Sequence, residues 1–140
     1  MNNLEKAKEI LFSESLTCCF TDGERLYKSR ERGVKPLLSF LEQKIDPQDL
    51  CAADKVVGKA AAYLYILLGI KCIYADIISE KALEVFERFS VDVSFRLSVP
   101  AIKNRAGTGF CPMESAVADI DDPNRAFCAI KKKLAELAGK

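Results

Sequence analysis

The chain has 140 residues, enough for one domain that buries about two-thirds of its unfolded surface. With 49% hydrophobic and 29% charged residues and a formal net charge of +1, it makes no global electrostatic case for nucleic acid or an anionic membrane. Histidine is absent, which excludes Ser-His-Asp and Cys-His catalysis and leaves zinc only an unusual cysteine and carboxylate donor set.

Leu4, Ala7, Ile10 and Leu11 recur at helical spacing and predict a short amphipathic helix over residues 3–12. This polar start reads as no secretory signal, and the apolar run 56–70 is too short to span a bilayer and is broken by Lys59. A cytoplasmic protein is therefore expected. Its cysteines (Cys18, Cys19, Cys51, Cys72, Cys111 and Cys128) form no C-x-x-C pair and are expected as reduced thiols.

Residues 15–21 alternate as a strand, with Leu16, Cys18 and Phe20 on one face. Asp22-Gly23 predicts a tight hairpin turn, with Glu24–Ser29 as the return strand. Arg30, Arg32 and Lys35 then crowd a loop around Gly33. Such a loop suits bidentate phosphate or carboxylate recognition, or serves as a plain solvated connection. Pro36 opens a helix running to about Lys44.

Asp54–Gly69, DKVVGKAAAYLYILLG, reads as the central helix, with Asp54 as its cap and Gly69 as its stop. Lys55 and Lys59 would lie one turn apart in its first turns, where the helix dipole disfavours cations. An anion is expected to offset them, and Gly58 would admit it close to the backbone. Plain capping by Asp54, with both lysine stems reaching to water, accounts for the same residues without a ligand.

Residues 72–78 form a short apolar run typical of a buried parallel strand. Asp76 sits near its end, and Ser79 is placed to cap a helix over residues 80–89. Ligands gather outside the carboxyl ends of such strands, although Asp76 equally suits a structural carboxylate. Val91–Val99 alternates apolar with polar and reads as a half-exposed strand towards a sheet edge.

In NRAGTGFCPMES, residues 104–115, Gly107 and Gly109 permit close approaches, and Pro112 fits a first helical position. That puts Cys111 at a helix cap and Glu114 in the first turn. Arg105 beside Cys111 would lower the thiol pKa and favour nucleophilic attack, the alternative being a buried packing cysteine. Asp121-Asp122-Pro123 caps a last helix with Phe127, Ile130, Leu134 and Leu137 in one stripe.

The strings SRERGVKP, DKVVGKAAA, ADIISEKAL, NRAGTGFCPME and DIDDP, in this order between about Leu16 and Leu137, resemble a small bacterial and archaeal domain-of-unknown-function family assigned a cytidine-deaminase-like fold. The resemblance implies a single α/β domain over residues 1–140, a three-layer α/β/α sandwich around a mixed sheet of four to five strands. It does not bring deaminase activity with it. Zinc deaminases place H-x-E and P-C-x-x-C at two helix starts, and the corresponding segments here, 54–61 and 79–83, hold neither histidine nor cysteine. No metal and no cofactor are expected.

The expected function is binding of a nucleotide or other phosphorylated small molecule in the cleft of that fold. Arg30, Arg32, Lys55, Lys59 and Arg105 would meet the anion, while Asp76 and Glu114 would accept hydrogen bonds from sugar or base. Asp54, Gly58, Ser79, Gly107, Gly109 and Cys111 complete the candidate set. Two other readings stay open. One is a cysteine-dependent enzyme in which Cys111 attacks an electrophile with help from Lys59 or Glu114. The other is a non-catalytic interaction module that associates with itself through Val91–Val99.

Overall fold

The computed structural model describes residues 2–103, 109 and 111–139. In chain order the elements are α1 (Asn3–Ser13), β1 (Cys18–Thr21), β2 (Leu26–Ser29), α2 (Lys35–Glu42), β3 (Cys51–Val57), α3 (Lys59–Leu68), β4 (Cys72–Ser79), α4 (Glu80–Arg88), β5 (Asp92–Val99), α5 (Pro112–Val117) and α6 (Pro123–Ala138). The strands form one mixed sheet in the order β2-β1-β3-β4-β5. β1 runs antiparallel to β2 and β3, whereas β3, β4 and β5 are parallel. This is an α/β domain with a five-stranded sheet.

Adjacent residues of a strand point to opposite faces, and the two cores divide accordingly. Cys19 and Ala53 join Ala7, Leu11, Leu16 and Tyr74 in a small core beneath α1. Their neighbours Cys18, Phe20 and Ala52 join a larger core with Leu37, Tyr65, Ile73, Phe86 and Ile130. One helix therefore covers the first face, and the remaining helices gather on the second. Full burial of Phe20, Tyr65 and Phe86 supplies about 2–3 kcal/mol each, so this second side dominates stability.

The central helix begins later than the sequence pattern predicts. Asp54, Lys55, Val56 and Val57 belong to β3, which pairs in register with β4 from Cys51–Cys72 to Val57–Ile78. A parallel strand buried on both faces is apolar throughout, so β3 and α3 merge into one apolar run. Asp54 is thus a strand residue and caps nothing. Gly58, in extended conformation with φ −101° and ψ −177°, precedes the first helical residue, and Lys55 and Lys59 do not share a helix face. The predicted stop holds, with Gly69 closing α3 in the left-handed region at φ 85°.

The hairpin is also wider than Asp22-Gly23 suggests. Thr21 pairs with Leu26, leaving residues 22–25 as the loop. The Asp22 carboxylate organises that loop by accepting from the amides of Glu24 (2.9 Å) and Arg25 (2.7 Å). Ser79 caps α4 as its position predicts, its Oγ accepting from the Ala82 amide at 3.1 Å. β5 lies at the sheet edge, as its alternation suggests.

Candidate functional site

A cleft of about 690 Å³ opens where β3 ends. The first turns of α2, α3 and α5 and the last turns of α6 form its walls. Most of the lining is apolar, with Val34, Val56, Ala61, Ile102, Met113 and Leu134 among the contributors. Its charged lining residues are Arg32, Lys35, Lys55, Lys103, Asp54 and Glu114. The position agrees with the rule that ligands in α/β sheets bind outside the carboxyl ends of the parallel strands.

Asp54 reaches the cleft because β3 pairs it beside Cys18 of β1 and Ala75 of β4, on the face shared with α3. Tyr65, from the second turn of α3, donates its hydroxyl to Asp54 Oδ2 at 2.6 Å, and the Val56 amide donates to Oδ1 at 3.1 Å. Among the described residues no lysine or arginine forms an ion pair with it. Burial therefore dominates and pushes the Asp54 carboxyl up to about 7, against the downward pull of Tyr65 and the Val56 and Lys55 amides. Burial, and then the Asp54 charge, push the neighbouring Cys18 thiol and Tyr65 hydroxyl up as well. The result is a carboxyl group that changes protonation near neutrality inside a mostly apolar cleft.

The start of α3 is occupied by the protein itself. Glu114, brought in by α5, accepts from the amides of Lys59 (2.6 Å) and Ala60 (2.9 Å), the first two of the helix. This internal carboxylate supplies the anion that the dipole calls for. Burial raises the Glu114 pKa, while the Ala60 and Lys59 amides and the Lys59 charge oppose the rise. Gly58 is required by the same contact, since a Cβ there would collide with the Glu114 carboxylate and stand 2.8 Å from its Oε2. The Lys59 ammonium turns away to donate to the Ala118 carbonyl at 3.0 Å. Burial lowers the Lys59 pKa, with Lys81 adding to the effect and Glu114 opposing it.

Of the residues singled out in the sequence, Arg32, Asp54, Lys55, Gly58, Cys111 and Glu114 line the cleft. Lys55 does so on a strand whose register carries its ammonium to the other side of the sheet, 4.5 Å from the centre of the Phe12 ring. Four candidates are placed elsewhere, one of them Lys59, whose ammonium bonds the Ala118 carbonyl. Arg30 donates to the Glu14 carbonyl at the end of α1. Asp76 pairs with Arg96 at 2.8 Å and accepts from the Tyr74 hydroxyl at 3.2 Å, and Arg96 holds its carboxyl below the usual range. Ser79 is buried as a helix cap. Arg105 and Gly107 lie outside the described residues, and Gly109 is exposed.

The sequence reading missed Tyr65, Cys18 and Lys103. Tyr65 follows Asp54 by eleven residues, and only the strand-to-helix reversal at Gly58 brings the two together. Among the described residues no three His, Cys, Asp or Glu side chains are grouped to hold a metal, and no helix is long and apolar enough to cross a membrane.

Fold and cleft together define an α/β domain with a mixed five-stranded sheet and a cleft at the carboxyl end of its parallel strands. The chain belongs to the DUF1893 family, a domain of unknown function, which it matches over residues 6–134. It is similar to the crystal structure of a DUF1893 family protein from Thermotoga maritima, with a TM-score of 0.82 and 28% identity, covering 96% of this chain and 89% of that one. No curated protein matches the chain.

Proposed function

We propose that the cleft binds a nucleotide or another phosphorylated small molecule. The observation that carries this reading is the pairing of an apolar cleft of about 690 Å³, a size suited to small-molecule ligands, with charges of opposite sign at separate places in its lining. Arg32, Lys35 and Lys103 offer cations for an anionic group. Asp54, with no ion-pair partner among the described residues, is the acceptor for an N–H or O–H of the ligand body. The anion does not sit at the start of α3, because Glu114 already holds those amides. A deaminase-like fold would contribute a scaffold to this reading without the H-x-E zinc motif, since the chain has no histidine.

Thermal-shift measurement against nucleoside mono- and triphosphates and inorganic phosphate tests the proposal. A ligand at a hundredfold excess over its dissociation constant adds about 2.7 kcal/mol of apparent stability. The Arg32→Glu/Lys103→Glu double variant is expected to lose that shift while keeping its own melting temperature. If no phosphorylated compound shifts the folded protein, or if the double variant responds as well as wild type, the proposal fails.

A further inference from the structure

β5 closes one side of the sheet and presents an outer edge eight residues long, with which no described strand pairs. The middle of the strand is exposed on both faces, with Ser94, Arg96 and Ser98 on one and Phe95 (43%) and Leu97 (44%) on the other, while Val93 packs on the core. Natural sheet edges are commonly blunted by proline, a bulge or a free lysine, because unpaired backbone recruits another strand. The sequence of β5, DVSFRLSV, contains neither proline nor lysine. Its single cation, Arg96, is held by Asp76 of the adjacent strand at 2.8 Å.

We propose that β5 pairs antiparallel with β5 of a second copy of this chain, about a two-fold axis, making one sheet continuous across the dimer. The partner is argued from the strand's own complementarity. With Ser94 on the axis, Asp92 stands opposite Arg96 of the second copy, whose guanidinium bonds Asp76 through Nε and Nη2 yet stays 58% exposed, and Val93 stands opposite its Phe95. Moving the axis to Arg96 would set like charges against each other, which disfavours that register. A two-fold contact repeats each pair, so the charge match counts twice. Apolar residues then face apolar residues on one side of the joined strands, and opposite charges meet on the other. An unrelated partner strand would give no reason for this match within a single sequence.

Sedimentation equilibrium on the intact chain tests the proposal. Wild type is expected at twice the chain mass in the micromolar range, and Leu97→Lys/Phe95→Lys at the chain mass with unchanged circular dichroism. Asp92→Lys, at an exposed position, is expected to weaken the dimer about tenfold through two repeated like-charge contacts. Hydrogen exchange covers the case in which the lysine variants do not fold: wild-type amides of residues 93–97 should become more protected as concentration rises. A wild-type chain that stays monomeric at millimolar concentration overturns the proposal. So does a dimer that survives the lysine substitutions, or β5 amides whose protection ignores concentration.

Discussion

Replacing Gly58 by alanine isolates the contact that builds the inner wall of the cleft. The backbone at Gly58 is extended, so alanine meets no backbone strain and narrows the unfolded ensemble by about 0.4–1 kcal/mol. Against this, the new Cβ would stand 2.8 Å from Glu114 Oε2 and closer still to Oε1, which forces the carboxylate off the Lys59 and Ala60 amides. Loss of a helix cap costs about 1–2 kcal/mol, and two amides left without their charged acceptor put this case at the upper end. The net expectation is a destabilisation of about 1–1.5 kcal/mol. For a chain of this size that lowers the melting temperature by roughly 4 °C per kcal/mol. Glu114→Ala should cost about as much by itself. The decisive measurement is a double-mutant cycle by urea denaturation. Once Glu114 is alanine, Gly58→Ala has nothing left to displace and should be neutral or slightly stabilising, a coupling of about 1–2 kcal/mol. Equal costs for Gly58→Ala in both backgrounds would refute the reasoning.

Two further expectations concern titration and thiol access. Because the folded protein holds the Asp54 proton up to about 7, against an ordinary carboxyl pKa near 4, the native state binds more protons between those values and loses stability as pH rises through them. The unscreened limit is about 4 kcal/mol, and water at the cleft mouth reduces it. Asp54→Asn should flatten the melting temperature between about pH 4 and pH 7, the window set by the two pKa values, and Tyr65→Phe should move the Asp54 carboxyl resonance to a higher midpoint by removing a bond to the charged form. A melting profile in Asp54→Asn as steep as wild type would sink this assignment. Among the thiols, exposed Cys128 should react first with a disulfide reagent near neutrality. Buried Cys18 and Cys19, whose pKa values burial raises, should react only on unfolding, and rapid loss of either thiol in the native protein would contradict the described burial.

Much of the architecture was legible because local rules decide it. The α1 stripe, the β5 alternation, the Ser79 cap, the Gly69 stop and the Asp122 cap of α6 each depend on a few neighbouring residues. The boundary between β3 and α3 was not legible, since apolarity throughout is the signature of both a doubly buried strand and a covered helix. Asp54 was therefore expected in the cleft as a helix cap, whereas it reaches the cleft from a strand, held by Tyr65. The anion at the start of α3 was correctly required by the dipole but sought outside the chain. Its source, Glu114, lies 55 residues beyond Lys59, and no local pattern links positions so far apart. Asp76 shows the converse, a carboxylate near a strand end that the neighbouring strand neutralises.

The last turns of α6 place Leu134 and Leu137 in the cleft wall. Any segment appended after Lys140 therefore begins four residues beyond a lining side chain. A polyhistidine tag attached there would bring imidazoles to a protein that has none of its own, near the cleft residues Asp54 and Cys111. Imidazole, thiolate and carboxylate together make a ready transition-metal donor set. Nickel or zinc carried over from affinity purification would then measure the tag and not the fold, and would fill part of the cleft. Tagging ahead of α1, which packs on the other face of the sheet, avoids creating that site.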